Sequence, residues 1–197
     1  RKAGGKDYKT YCKKILKITK KPISFEVFAD DNEKMVNQGI KISKWGKNVY
    51  VKVPITNSTG KFTGPAIKQL NKKKIKLNIT AVYTAKQTKQ ILKLINKNSK
   101  VIISIFAGRM ADVGKDPVKE FKNSISSAKK YKNVEILWAS TREPYNYLQA
   151  KKLKCHIITI PPSIIEKIEK FGKSFKNLTT DTVKGFLIDS KKSKFKI

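Results

Sequence analysis

Polar residues recur at regular places inside otherwise apolar runs of this chain. Glu26 lies in Ser24-Phe25-Glu26-Val27-Phe28 and Lys52 in Val49-Tyr50-Val51-Lys52-Val53-Pro54. Asn78 and Thr80 lie in Leu77-Asn78-Ile79-Thr80, and Ser104 in Ile102-Ile103-Ser104-Ile105-Phe106. Glu26, Lys52, Asn78 and Ser104 follow one another at a constant step of 26 residues. On successive parallel strands that step places the polar side chains at similar heights. Asn78 and Thr80 are two apart and so face the same way. Arg109 follows Gly108 just beyond the fourth run, and Ser140 and Arg142 close the run Trp138-Ala139-Ser140-Thr141-Arg142.

Each residue alone has an ordinary explanation. A strand lysine can run its stem along apolar surface and release its amine to water. Glu26 can pair with Lys52 as a purely structural ion pair. Asn78, Thr80 and Ser104 can be hydrogen-bonded core residues, and Arg109 a loop charge. Gathered at one end of a sheet, the same set supports specific chemistry. A desolvated lysine near other cations offers a neutral amine. That amine can attack a ketone and form a Schiff base, whose iminium accepts electrons as a carbon–carbon bond breaks. A carboxylate and a hydroxyl can hold a water for proton transfer. Arg109 and Arg142 can each grip a phosphate with a planar fork.

The arginines are informative because the chain otherwise uses lysine. It has 197 residues, 45 Lys plus Arg against 14 Asp plus Glu, and a net charge of +31, yet only Arg1, Arg109 and Arg142 are arginine. Such a charge predicts attraction to polyanions. The lysines are spread along the whole chain, as compositional drift would leave them. No aromatic-rich RNA motif or helix-turn-helix pattern is present, so no specific nucleic-acid partner is expected. Non-specific polyanion binding is the alternative from another functional class. Cys12 and Cys155 lie far apart, and His156 is the one histidine. That composition suggests neither a disulfide framework nor a zinc site, and neither metal nor cofactor is expected. The longest apolar run, about Val101 to Ala107, is far short of the ~18 residues of a membrane span. With no secretory leader in view, a cytoplasmic setting and no membrane partner are expected.

The elements that must position these residues alternate. Strands are expected at Ile23–Ala29, Val49–Ile55, Leu77–Val82, Val101–Phe106, Val134–Ala139 and His156–Ile160, apolar on both faces as in a covered parallel sheet. Helical patterns lie between them at Asn32–Trp45, Pro65–Asn71, Ala85–Ile95, Pro117–Lys130 and Pro144–Lys152. Further helices are expected at Tyr8–Thr19, Pro162–Phe171 and Thr180–Ser190. Six βα units after an initial helix read as α/β with a parallel sheet. A doubly wound sheet and a (β/α)8 barrel both fit that order. The absence of a G-x-G-x-x-G fingerprint weakens the first, and the barrel needs eight strands.

These runs resemble, in order, the strand-end motifs of the transaldolase family, a class I Schiff-base aldolase family. The resemblance rests on Phe25-Glu26-Val27, Val51-Lys52-Val53-Pro54-Ile55-Thr56, Leu77-Asn78-Ile79-Thr80-Ala81, Ser104-Ile105-Phe106-Ala107-Gly108-Arg109 and Trp138-Ala139-Ser140-Thr141-Arg142. It implies a (β/α)8 TIM barrel and transfer of a dihydroxyacetone unit between sugar phosphates in the pentose phosphate pathway. Lys52 would form the Schiff base, and Glu26 and Thr80 would hold the proton-shuttling water. Asn78 and Ser104 would bind the hydroxyls of the dihydroxyacetone unit, and Phe106 would line the pocket. Arg109, Ser140 and Arg142 would bind phosphate. The similar fructose-6-phosphate aldolases, which cleave without an acceptor, carry Gln at the place of Glu26 and Tyr at that of Phe106.

The resemblance departs at the front. The family's first strand carries an acid/base aspartate and its second a T-T-N-P motif, and neither has a counterpart here. Arg1-Lys2-Ala3-Gly4 resembles the stretch just after T-T-N-P, and Asp7 does not replace the aspartate. The expectation is therefore one incomplete barrel domain over residues 1–197, a fragment with the first two βα units missing and six strands present. Residues 177–197 would form a C-terminal helix and tail. Low stability and little turnover are expected of such a chain. The helix Thr180–Ser190 could mediate homo-oligomer formation through Val183, Phe186, Leu187 and Ile188.

Overall fold

A computed structural model describes residues 7–195. The Arg1-Lys2-Ala3-Gly4 stretch lies outside the described residues. The chain divides into two compact units, Arg1–Ile160 and Pro161–Ile197.

In the first unit, α1 (Tyr8–Ile18) precedes six parallel strands: β1 (Ile23–Glu26), β2 (Val49–Pro54), β3 (Leu77–Val82), β4 (Val101–Phe106), β5 (Val134–Ala139) and β6 (Ile157–Ile158). The helices between them are α2 (Asn32–Ser43), α3 (Gly64–Lys72), α4 (Ala85–Leu92), α5 (Ala107–Ala111), α6 (Val118–Ala128) and α7 (Tyr145–Lys152). The strands lie in sequence order β1-β2-β3-β4-β5-β6. They form a curled half-barrel, the six-stranded part of a TIM-type fold. The second unit holds α8 (Pro162–Ile168) and α9 (Phe175–Ser193). Among the described residues, no helix is long and apolar enough to cross a membrane.

Local chemistry sets the boundaries. Asp7 and Asp31 cap α1 and α2 by accepting the Thr10 and Lys34 N–H groups, and Thr84 and Gln87 close a capping box on α4. Strands β3, β4 and β5 run over the expected residues. Strand β1 stops at Glu26 rather than Ala29, because the Gln38 side-chain oxygen on α2 accepts the Phe28 and Ala29 N–H groups at 2.7 and 2.9 Å. Strand β6 is two residues long, paired only through Leu137–Ile157 and Trp138–Ile158. Helix α5 is an unexpected element, since β4 passes into it without an intervening turn. The last helix begins at Phe175 rather than Thr180.

The sheet buries its two faces differently. Val51, Val53, Leu77, Ile79, Ile103, Ile105, Ile136 and Trp138 face the helices, where Ile67, Leu70, Ile91 and Phe121 meet them. Phe121 stacks on Trp138 with ring centroids 4.3 Å apart. Each such aliphatic side chain contributes about 1.5–3 kcal/mol when fully buried, so this convex layer holds the strands in place. The concave face has a small apolar cluster of Tyr50, Ile102, Leu137 and Ala139, with Phe106 and Ile157 against it. Apart from Pro54, the remaining concave side chains are polar.

Candidate active site

Register explains why the polar residues converge. Glu26 pairs with Lys52, and Lys52 with Asn78, so the first three polar positions stand side by side across β1, β2 and β3. The fourth departs from the equal step. Asn78 pairs with Ile102, and the register shifts between Ile79 and Val82, where Thr80 and Ala81 together oppose Ser104. Ala81 holds φ +57°, the left-handed region that accommodates the extra residue of this bulge. Ser104 therefore stands two residues further along its strand than Asn78. It still reaches Asn78, donating to Oδ1 at 2.7 Å.

Asn78 is the centre of a short relay. Its Nδ2 donates to Ser24 Oγ at 2.9 Å while its Oδ1 accepts from Ser104. Ser24 was absent from the sequence-based set, although its place two residues before Glu26 puts it on the same face. Lys52 Nζ lies 3.6 Å from Glu26 Oε2, with side-chain exposures of 28% and 43%. The pair is thus half-buried at the cleft rather than sealed in the core. Thr80 is 2% exposed, and its hydroxyl has no hydrogen-bond partner among the described residues. That pattern fits a hydroxyl available to a bound molecule rather than to the fold.

The other side of the cleft is built by two chain reversals that interlock. One is the β4–α5 junction, which carries Arg109. The other follows β5, where Ser140 takes φ +65°. A Cβ on Gly108 would lie 1.7 Å from the Ser140 carbonyl oxygen and 2.7 Å from Arg142 Cγ, so no other residue fits between the reversals. The β5 turn is pinned elsewhere too. Thr141 Oγ1 donates to the Thr159 carbonyl at 2.6 Å, and Asn146 Oδ1 accepts the Arg142 N–H at 3.0 Å. Arg142 does not present an empty fork, as the sequence reading supposed. Its Nε and Nη2 donate to the Asp112 carboxylate, with Nη2 to Oδ2 at 2.6 Å. Those bonds hold the Asp112 carboxyl below its ordinary range and raise the Arg142 guanidinium above its own.

One open cleft of about 400 Å³ collects Lys52, Asn78, Thr80, Ser104, Phe106, Arg109, Ser140 and Arg142, together with Ser24 and Thr159. Glu26 joins through Lys52. All nine sequence-predicted residues thus come to the end of the sheet where the strands finish. Asp7 is engaged as the α1 cap. Among the described residues, no three His, Cys, Asp or Glu side chains gather as a metal site requires.

Comparison with known proteins agrees with this geometry. The family model described as Transaldolase/Fructose-6-phosphate aldolase matches residues 6–197. A protein named probable transaldolase from Thermoanaerobacter sp. (strain X514) is 32% identical over 194 residues, covering 98% of this chain and 84% of that protein. One from Herpetosiphon aurantiacus is 30% identical over 186 residues, covering 94% of this chain and 78% of its own length. One from Nitrosopumilus maritimus is 33% identical over 156 residues, covering 78% and 67%.

Proposed function

The chain belongs to the transaldolase/fructose-6-phosphate aldolase family, and from that premise we propose that it transfers a dihydroxyacetone unit between sugar phosphates through an imine on Lys52. The observation that carries the reading is the Lys52–Glu26 pair at 3.6 Å, on the same concave face as the unpartnered Thr80 hydroxyl.

Lys52 passes its proton to Glu26, and the freed amine attacks the C2 carbonyl of a ketose phosphate. The carbinolamine loses its hydroxyl as water, with a proton supplied through Glu26 and a water held by Glu26 and Thr80. The iminium then draws in the electron pair of the C3–C4 bond. The C4 hydroxyl passes its proton through the held water to the Glu26 carboxylate, and the aldehyde departs. The enamine left on Lys52 adds to an acceptor aldehyde phosphate, and water releases the new ketose from the imine. Asn78 and Ser104 hold the hydroxyls of the three-carbon unit. The relay through Ser24 fixes the Asn78 amide, so that an Nδ2–H remains to donate. Arg109, Ser140 and Arg142 receive the phosphate. Phe106, half-buried beside Tyr83 with ring centroids 6.1 Å apart, forms the apolar wall. A cytoplasmic place in the pentose phosphate pathway follows from this reaction as part of the proposal.

Borohydride reduction in the presence of fructose 6-phosphate tests the reading. A reduced adduct mapped by mass spectrometry to Lys52, and lost in Lys52→Met, supports it. An adduct on another lysine, or none, overturns it. Cleavage without an acceptor is the second reading, which the family description admits. Glu26 and Phe106, where the fructose-6-phosphate aldolases carry Gln and Tyr, favour transfer. A turnover rate that depends on added acceptor aldehyde distinguishes the two.

A further inference from the structure

The fork of Arg142 is half occupied. Its Nε–H is shared between both Asp112 carboxylate oxygens at 3.1 Å, and one Nη2–H goes to Oδ2 at 2.6 Å. Guanidinium has five N–H donors, so three remain, on the edge formed by Nη1 and the outer side of Nη2. That edge is a second bidentate surface for an oxyanion. Asp112 follows immediately on α5, the short helix that carries Arg109 and packs its Gly108 against Ser140. One turn of chain therefore supplies an arginine, the close contact between the reversals, and the counter-ion of the other arginine. Arg142 and Asp112 are 49% and 47% exposed, and among the described residues the Asp112 carboxylate is the hydrogen-bond partner of the guanidinium.

Resting on the imine reading above, we propose that Asp112 is a positioning residue for phosphate. It holds the Nε edge of Arg142 and thereby assigns the Nη1–Nη2 edge to the sugar phosphate. Two effects oppose each other here. The carboxylate repels an incoming phosphate, and the fixed guanidinium spares the ordering that a long flexible side chain would otherwise need on binding. The proposal is that orientation wins. Loss of Asp112 then weakens phosphate recognition, whereas repulsion alone would make the same loss strengthen it.

Calorimetric titration of the full chain with fructose 6-phosphate and with fructose reads this without any requirement for turnover. Asp112→Ala is expected to raise Kd for the phosphorylated sugar about tenfold, the effect of one well-oriented charged contact, and to leave fructose binding unchanged. Asp112→Asn keeps a carbonyl acceptor for the Nε edge and is expected to recover most of the affinity. Circular dichroism confirms that both variants fold. Equal or tighter binding of the phosphorylated sugar by Asp112→Ala overturns the proposal, as does a wild type that does not prefer the phosphorylated sugar. Borohydride trapping with unphosphorylated dihydroxyacetone reports on Lys52 separately, because it needs neither arginine. An adduct there alongside a negative titration removes Asp112 and leaves the imine reading standing.

Discussion

The two ends of the sheet differ in charge, one carrying lysine alone and the other both signs. The segments that lead into the strands, 19–22, 44–48, 73–76, 93–100, 129–133 and 153–156, contain fourteen lysines and no carboxylate. The segments that leave the strands, 27–31, 55–63, 83–84, 107–117 and 140–144, contain five carboxylates against Lys61, Arg109, Lys115 and Arg142. At the leaving end four of the five carboxylates have assigned partners. Asp30 accepts from Ser58 N–H and hydroxyl, Asp31 caps α2, Asp116 accepts the Val118 N–H, and Asp112 holds Arg142. At the entering end the lysines follow helix C-termini, where the helix dipole favours them. Among the described residues, none of them is in an ion pair. The entering rim, with fourteen of the 45 lysines and arginines, is therefore solvated, whereas Lys52 and Arg142 at the other end are each paired with a carboxylate.

If that contrast is right, small changes at the leaving end should be costly and large charge changes at the entering end cheap. Gly108→Ala is expected to cost most. Its Cβ would meet the Ser140 carbonyl oxygen at 1.7 Å, so backbone must move, at about 3 kcal/mol by the cost of overpacking. Urea denaturation should show the loss of stability, and a raised KM for sugar phosphates should accompany it, because the shift separates Arg109 from Arg142.

Ser24→Ala comes next. It removes the acceptor of Asn78 Nδ2 and should cost about 1 kcal/mol. The released amide can turn, so donor KM should rise several-fold while borohydride still traps Lys52. Unchanged donor KM would show that Ser24 only packs.

The smallest effect on stability is expected at the lysine rim. Replacing Lys97, Lys100, Lys130 and Lys132 with serine should change stability by within about 0.5 kcal/mol per site. It should leave trapping at Lys52 intact and lower the salt-sensitive binding of duplex DNA. Four substitutions at Lys34, Lys86, Lys89 and Lys119 remove the same charge from helix surfaces. If both sets weaken DNA binding equally, the rim is no more than part of the general charge. Loss of trapping from the rim variant would break the division between the two ends.

Much of this arrangement could be read from residue types. Strands β3, β4 and β5 were legible to the residue because they are apolar on both faces and end at polar or turn residues. That Glu26, Lys52, Asn78, Arg109 and Arg142 would meet at the strand ends was legible because amides, acids and cations are conspicuous in such runs. The misses have physical causes. Gln38 truncates β1 from another element, and a side-chain oxygen on a helix gives no local signal in the strand it ends. The equal step was true of three strands and failed at Ser104, because β3 and β4 pair 24 residues apart from Leu77–Val101 onward, and the bulge at Ala81 that follows depends on a backbone angle that alanine does not advertise. Asp112 lies three residues from Arg109 and thirty from Arg142, so its bond to Arg142 belongs to the packing of two reversals. Ser24 was overlooked because serine is unremarkable in a strand until its partner is known.

At the outer edge of β1, Tyr8 from α1 accepts the Glu26 N–H at 2.9 Å and donates to the Glu26 carbonyl at 3.4 Å. Burial pushes this phenol up to about 12, so it stays protonated and able to do both. Beyond it, Gln38 takes the next two N–H groups. An open strand edge is ordinarily a template for another chain. Here the template is stoppered by two side chains instead of a strand. The outward hydrogen-bonding groups at the end of β1 are thereby spent on one phenol and one amide, which fix the backbone that carries Glu26 without a ladder.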